Sequence, residues 1–262
     1  MNKLIWPINL IQLDRLTSTN KYAAQYIISN IIKNWTIINV INQTNGKGTN
    51  NNHWYSEKGK NLTFSIILES SFLHFMSYFF TKVYIHNIII CNAIHKILFY
   101  YTNHCWIKWP NDIILYDKKI VGILIENNIT YNSKKYIIIG IGFNVNQILF
   151  DPKLKTSSLR LFFKIKFNLK SLLLKIISFI QKEYLYIYMY NTYSHAINYY
   201  NTFLYKRNQM SYFIIKRKNH KIVKYYSKGI IKNITNNGHL IIKINNNKKL
   251  FFFSKNDIKF LF

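Results

Sequence analysis

The stretch at 106–126, WIKWPNDIILYDKKIVGILIE, decides the fold. Residues 113–116 and 120–126 form two apolar runs around Asp117-Lys118-Lys119, a pattern that predicts a β-hairpin. Both runs are apolar on successive residues, so both faces of the hairpin are expected to be covered. Upstream, Pro110 biases Trp109 toward an extended backbone, which puts Lys108 at the end of a strand, and Asn111-Asp112 reads as a turn. A lysine between bulky apolar neighbours has a simple explanation: its stem lies along an aromatic face while the ammonium meets water.

The full string carries more than that pair. Lys-Trp-Pro-Asn-Asp at 108–112, followed by a hairpin and Gly-Ile-Leu-Ile-Glu at 122–126, resembles the KWPND and GILxE signature of biotin protein ligases, also called holocarboxylase synthetases.

The composition sets bounds on the remainder. With 262 residues the chain suits one large domain, or a large one with a small one, and has length enough for a substantial core. Its two cysteines, Cys91 and Cys105, give neither a disulfide framework nor metal-ligand spacing and fit a reducing compartment, so a cytoplasmic location is expected. The start, MNKLIWPINLIQLDR, lacks an export signal's apolar run ending in small residues. The greasiest windows, 83–101 and 172–190, are interrupted by polar and charged residues, which argues against a membrane span.

A formal charge of +27 directs attention to nucleic acid. The excess is nearly all lysine, however, with arginine only at 15, 160, 207 and 217, and it accompanies heavy use of Asn, Ile, Tyr and Phe. A/T-rich codons write all of these residues, so genome composition explains the charge and no sequence-specific DNA binding is expected.

Along the chain, Asp14 to Asn20, DRLTSTN, precedes a helical pattern from 21 to about 33. Thr17, Ser18 or Thr19 supplies the N-cap. TIINVIN at 36–42 predicts a strand, and QTNGKGTNNNHWYSEKGK at 43–60 reads as a flexible loop rich in Gly and Asn. A Gly-Lys-Gly triplet can also cradle a phosphate. NLTFSIILE at 61–69 is a strand and about 79–101 a core helix, with His86 and His95 out of register for a paired metal site. KYIIIGIGFNVN at 135–146 is a buried strand ending in Gly140-x-Gly142-x-Asn144, where glycine permits close packing or a bulge. Segments 168–190 and 194–205 supply helices on one face of the sheet. From 211 onward short strands alternate with the turns Asn236-Asn237-Gly238 and 245–247, which predicts a small β-module, marginal alone and dependent on docking.

The resemblance extends across these segments. Ser18-Thr19-Asn20 matches the family's STN motif, which binds the ureido end of biotin. Gln43, Gly46, Lys47, Gly48 and Trp54 fall on a glutamine, a GRGRRG-type loop and a tryptophan; that loop orders over biotin and the adenylate. Lys47 replaces the first arginine, Thr49 the second, and Asn51 the third glycine, departures that bear on retention of the intermediate. Gly140, Gly142 and Asn144 match a GxGxN strand end that leaves room for nucleotide.

The resemblance therefore implies an α+β fold: a mixed sheet with helices packed on it, as in class II synthetases, over 1–205, and a small C-terminal SH3-like β-barrel over 206–262. It implies a stand-alone ligase without the family's DNA-binding arm, which activates biotin with ATP and Mg2+ and passes it to a biotin carboxyl carrier protein. Lys108 and Lys47 are the expected catalytic cations. Biotin contacts fall to Ser18, Thr19, Asn20, Gln43, Gly46, Lys47, Gly48, Thr49, Lys108 and Gly122, and nucleotide contacts to Lys47, Trp54, Lys108, Asn111, Gly140, Gly142 and Asn144. No residue is assigned to metal, no membrane partner is expected, and a homodimer is left open. The rivals are a lipoate or octanoate enzyme of the same superfold, a non-enzymatic nucleic-acid-binding module, and a decayed ligase.

Overall fold

The computed structural model describes residues 3–49, 52–70, 82–219, 221–244 and 249–261. Asn51, the start of the helix expected near Phe79 and the turn expected at 245–247 lie outside the described residues. In chain order the elements are β1 (Asn9–Leu16), α1 (Thr19–Ser29), β2 (Thr36–Gln43), β3 (Gly46–Lys47), β4 (His53–Trp54), β5 (Leu62–Glu69), α2 (Val83–Phe99), β6 (Cys105–Lys108), β7 (Asp112–Leu115), β8 (Lys118–Tyr131) and β9 (Lys134–Phe143). There follow α3 (Leu159–Phe163), α4 (Leu169–Tyr190), α5 (Ser194–Thr202), β10 (Met210–Asn219), β11 (Lys221–Ile234), β12 (Leu240–Ile244), β13 (Leu250–Phe253) and β14 (Ile258–Leu261).

Seven strands build the main sheet in the order β1-β2-β5-β9-β8-β7-β6. Among its described pairs only β1–β2 is parallel, so the sheet is mixed. β1 has no counterpart in the sequence reading: NLIQLDRL is half polar, and it is held as an edge strand by its register against β2. Every residue of β5 is buried, because helices cover both faces at the centre of the sheet. On one face α1 packs Ala23 and Ile27 onto Ile38, Ile67 and Ile138. On the other, α2 and α4 place Ile90, Ile94, Ile176 and Ile180 in one cluster with Phe64, Ile66 and Ile139.

The hairpin at the heart of the sequence forms as β7–β8, with its turn one residue earlier than the charge pattern indicates. Tyr116 and Asp117 both have positive φ, 45° and 64°, the geometry of a primed two-residue turn, while Lys118 and Lys119 already pair in β8. Tyrosine is a poor residue for that conformation; here its ring is stacked between His104 at 4.6 Å and Phe162 at 5.2 Å. The turn after Lys108 spans Trp109 to Asn111, and Asp112 opens β7 instead of belonging to the turn.

The two helix histidines are core residues. His86 Nδ1 meets the Tyr184 hydroxyl at 2.7 Å, and His95 bonds the Tyr199 hydroxyl at 2.9 Å and Cys105 O at 3.0 Å. Burial pushes the His95 pKa down to about 4, so its ring is neutral at pH 7.

The C-terminal strands form an antiparallel sheet in the order β13-β12-β11-β10-β14. The small β-module is present; among the described residues β13 and β14 stand at opposite edges, so the recorded pairing is that of an open sheet rather than a closed barrel. Its core is continuous with that of the main sheet. Phe213, Ile231, Leu240 and Ile242 are fully buried in the same cluster as Ile107 and Trp109. Trp109 Nε1 donates to Gly238 O at 3.0 Å, and the Ile234 amide donates to Asn201 Oδ1 at 2.8 Å.

Candidate active site

Three glycines make a floor in the middle of the main sheet. Gly142 on β9 lies opposite Gly122 on β8 and Thr63 on β5, while Gly140 lies opposite Leu124 and Ser65. None of the three requires an unusual backbone; what they provide is space. A Cβ at Gly140 would stand 2.3 Å from Asn20 Oδ1, and one at Gly142 2.3 Å from the Trp54 ring. At Gly122 it would meet the same ring at 2.9 Å. Any larger side chain would thus displace the start of α1 or Trp54.

The start of α1 is held over this floor by side-chain bonds. Ser18 is the N-cap and accepts from the Lys21 amide, and the Thr19 amide donates to Gln43 Oε1 at 2.9 Å. Asn20 Nδ2 donates to Glu126 Oε2 at 2.7 Å and Leu124 O at 3.3 Å, while its Oδ1 accepts from Ser65 Oγ at 2.7 Å. All three residues are buried. The Ser-Thr-Asn triplet therefore caps a helix and also ties it to β2, β5 and β8.

The segment that reads as a flexible loop is ordered where it is described. Gly46 pairs with Trp54 and Lys47 with His53 in a short β3–β4 ribbon, and the Gly48 amide donates to Asn52 O at 2.7 Å. A Cβ at Gly46 would lie 2.5 Å from Gln43 Nε2 and 2.6 Å from Trp54 O, so glycine lets the ribbon close on itself. The ribbon folds the Trp54 ring onto the glycine floor.

These parts surround a small pocket that opens to solvent. Ser18, Thr19, Asn20, Gln43, Lys47, Gly48, Thr49, Trp54, Asn111, Gly122, Gly140 and Gly142, all singled out in the sequence, line it. Gly46, Lys108 and Asn144 do not. Gly46 lies within the ribbon, packed against Gln43 and Trp54. Asn144 follows β9; its amide donates to Ile120 O at 2.9 Å and its Oδ1 is buried without a hydrogen-bond partner among the described residues. Lys108 stands at the end of β6 opposite Asp112, its ammonium 5.7 Å from the centre of the Phe260 ring. Burial pushes the Lys108 pKa down, with Lys119, Lys155 and Lys206 acting in the same direction and Asp112 against it.

Two charged wall residues escaped the sequence reading. Lys119 Nζ lies 2.8 Å from Asp112 Oδ1 and 5.6 Å from the centre of the Trp54 ring. Lys119 was hidden because its charge reads as hairpin turn; only the shift of the turn to Tyr116-Asp117 brings it into a strand beside Asp112. Asn111 is fixed from both sides, its Nδ2 donating to Ile123 O and its own carbonyl accepting from the Ile123 amide at 3.1 Å. Among the described residues no group of three His, Cys, Asp or Glu side chains could hold a metal ion, and no helix is long and apolar enough to cross a membrane.

Residues 12–144 match the model of the biotin/lipoate A/B protein ligase family, and the chain belongs to that family. It is 33% identical over 139 residues to the bifunctional ligase/repressor BirA of Bacillus subtilis, covering 53% of this chain and 41% of that protein. It is 31% identical over 112 residues to the biotin–protein ligase of Homo sapiens, covering 42% of this chain and 15% of that protein. The chain thus spans less than half the length of these curated relatives. Among solved structures, the biotin protein ligase from Aquifex aeolicus in complex with biotin and ATP has a TM-score of 0.76 at 19% identity, with 97% of this chain and 98% of that chain covered. The Leishmania major biotin protein ligase in complex with biotinyl-5-AMP has a TM-score of 0.61 at 20% identity, with 95% and 100% covered. At these identities the likeness is one of fold.

Proposed function

We propose that this chain is a biotin protein ligase: it joins biotin to ATP as biotinyl-5′-AMP, releasing pyrophosphate, and then passes biotin to a lysine of a biotin carboxyl carrier protein. The observation that carries the reading is the assembly of the Ser18-Thr19-Asn20 helix start, Gln43, the Gly46–Lys47 ribbon and the glycine floor around one pocket. The relatives' own biotin, ATP and biotinyl-5-AMP complexes support it.

In this mechanism Ser18, Thr19 and Asn20 hold the ureido end of biotin with Gln43 beside them, for which a cluster of neutral donors and acceptors, the first three buried, is the right chemistry. The first step sets one anion, the biotin carboxylate, against another, the α-phosphate. Fixed cations that offset developing phosphate charge are therefore the main catalytic device, a role assigned here to Lys47 and Lys119, which line the pocket, and to Lys108, which stands opposite Asp112 of its wall. Because the Trp54 ring rests on Gly122 and Gly142, the ribbon has to lift before a nucleotide reaches the floor and can then close over the mixed anhydride, keeping water from it. Magnesium would come with ATP and offset phosphate charge; no side chain of this chain is assigned to hold it. The two free cysteines are buried, in keeping with the cytoplasmic location proposed here.

The family includes lipoate enzymes, so the acyl substrate is the point to test. Incubation of the chain with Mg-ATP, a biotin carboxyl carrier domain and either biotin or lipoate should add one biotinyl mass to the carrier and no lipoyl mass. Lipoylation without biotinylation would overturn the assignment.

A further inference from the structure

The C-terminal sheet has a second face, turned away from the core it shares with the main sheet. Side chains alternate across each strand, and the ladder register sorts them. Phe213 and Ile215 of β10, Ile231 of β11, and Leu240 and Ile242 of β12 enter the common core. The residues between them point outward: Met210, Tyr212 and Ile214 on β10, and Tyr226, Lys228 and Ile230 opposite them on β11. Ile241 and Lys243 of β12, Leu250 and Phe252 of β13, and Lys259 and Leu261 of β14 extend the same face.

An antiparallel sheet packed on one side ordinarily turns polar residues to water on the other. This one turns out rings: Tyr226 is 81% exposed, Tyr212 60% and Phe252 59%. Large apolar side chains grouped on a surface mark a place of contact. Cations interleave with them. Lys228 lies directly opposite Tyr212, Lys259 opposite Ile214, and Lys243 between Ile230 and Leu250. Tyr212 and Tyr226 are diagonal neighbours, a separation of about 7–8 Å in an antiparallel pair. Asp257, the one acid between 206 and 262, is held in the β13–β14 turn by the Ser254 amide at 2.9 Å and the Ser254 hydroxyl at 2.6 Å. Codon composition sets how many lysines and tyrosines the chain carries, but not that they share one sheet face with no carboxylate to offset them.

The interleaving decides which anionic partner fits. A lipid surface is met by a continuous apolar face with cations on the opposite side, and here lysines interrupt the apolar residues. An acidic peptide would match the lysines and leave the tyrosine rings uncovered. Duplex DNA stacks its base faces inward, and its major groove admits a helix or a two-stranded ribbon, not the face of a five-stranded sheet. A single strand alternates phosphates with open base faces, which are the groups that lysines and aromatic rings take. We infer that the outer face of the C-terminal sheet binds single-stranded nucleic acid, with Tyr212, Tyr226 and Phe252 stacking on bases and Lys228, Lys243 and Lys259 meeting phosphates. Stacking tolerates every base, so the face recognises a strand and not a sequence. None of these residues lines the pocket, which makes this a second binding function, independent of the acyl substrate.

The test uses the whole chain and a short fluorescein-labelled oligothymidylate followed by anisotropy, with the same strand annealed to its complement and phosphatidylserine vesicles as separate ligands. Tyr212→Ala and Tyr226→Ala remove rings and keep the charge, whereas Lys228→Met and Lys259→Met remove charge from the same face. Tyr100→Ala and Lys135→Met remove an exposed ring and an exposed lysine elsewhere. Thermal melts check that each variant is folded. The wild type should bind the single strand more tightly than the duplex, and each face tyrosine variant should weaken that binding by about tenfold, as expected for loss of one stacked base. Each face lysine variant should weaken it as well, and should shallow the slope of log affinity against log salt by about 0.7. The two controls should leave affinity and slope unchanged. Tyrosine variants that bind like wild type would reduce the attraction to diffuse charge and overturn the inference, as would a duplex bound as tightly as the single strand. Vesicle binding that is lost with the tyrosines while single-strand binding persists would assign the face to a membrane surface and overturn it too.

Discussion

Lys108→Ala should slow biotin-dependent pyrophosphate release by about 10²–10³-fold, the usual cost of removing one preorganised group from developing transition-state charge, while the protein stays folded. Lys108 stands at the end of a strand fixed by the β6–β7 pairing, with Asp112 opposite and Phe260 against its ammonium, so its charge is positioned before substrate arrives. The fold has little need of that charge. Burial lowers the Lys108 pKa below the ordinary 10.5, which means that the folded state disfavours the protonated form. The resulting penalty is present in full below the folded pKa and fades as pH rises toward 10.5. Lys108→Met, which keeps an apolar stem, should therefore be at least as stable as wild type at neutral pH, with the difference closing on the alkaline side. Pyrophosphate release followed beside thermal melting decides the matter, and release near the wild-type rate would remove Lys108 from the mechanism.

Ending the chain after Tyr205 should abolish cooperative folding, a larger consequence than the loss of a peripheral cap. Phe213, Ile231, Leu240 and Ile242 are completely buried in the same core as Ile107 and Trp109, and Trp109 would also lose Gly238 O as its acceptor. Each large apolar side chain contributes about 1.5–3 kcal/mol when fully buried. Several of them together match the whole stability of an ordinary domain, about 5–15 kcal/mol. The shortened chain should be insoluble or melt without a sharp transition by circular dichroism. A cooperative melt within a few degrees of the full chain would show that the two sheets are energetically independent.

Much of this fold was legible because its elements follow local rules. The hairpin, the buried run of β5 and the capped start of α1 each carry their own periodicity or cap in a few consecutive residues. β1 was not legible: its half-polar pattern acquires meaning only through parallel pairing with β2. The covering ribbon escaped for a similar reason, since two-residue strands have no periodicity and Gly46 is required by its approach to Gln43 and Trp54. In the pocket, the residues in contiguous motifs were found and Lys119 was not. Its role depends on turn register, and the Tyr116 conformation that sets the register is held by stacking against His104 and Phe162, far off in sequence or unremarkable within it.

The central claim is that this pocket makes an acyl-adenylate from biotin. The purified chain, given Mg-ATP with biotin or with lipoate and no carrier, can be examined by mass spectrometry for the product it holds. Biotinyl-5′-AMP should form, with pyrophosphate released in equal amount, and lipoyl-adenylate should be absent. Lipoyl-adenylate alone, or no adenylate from biotin in a sample whose melt shows it to be folded, would contradict the account.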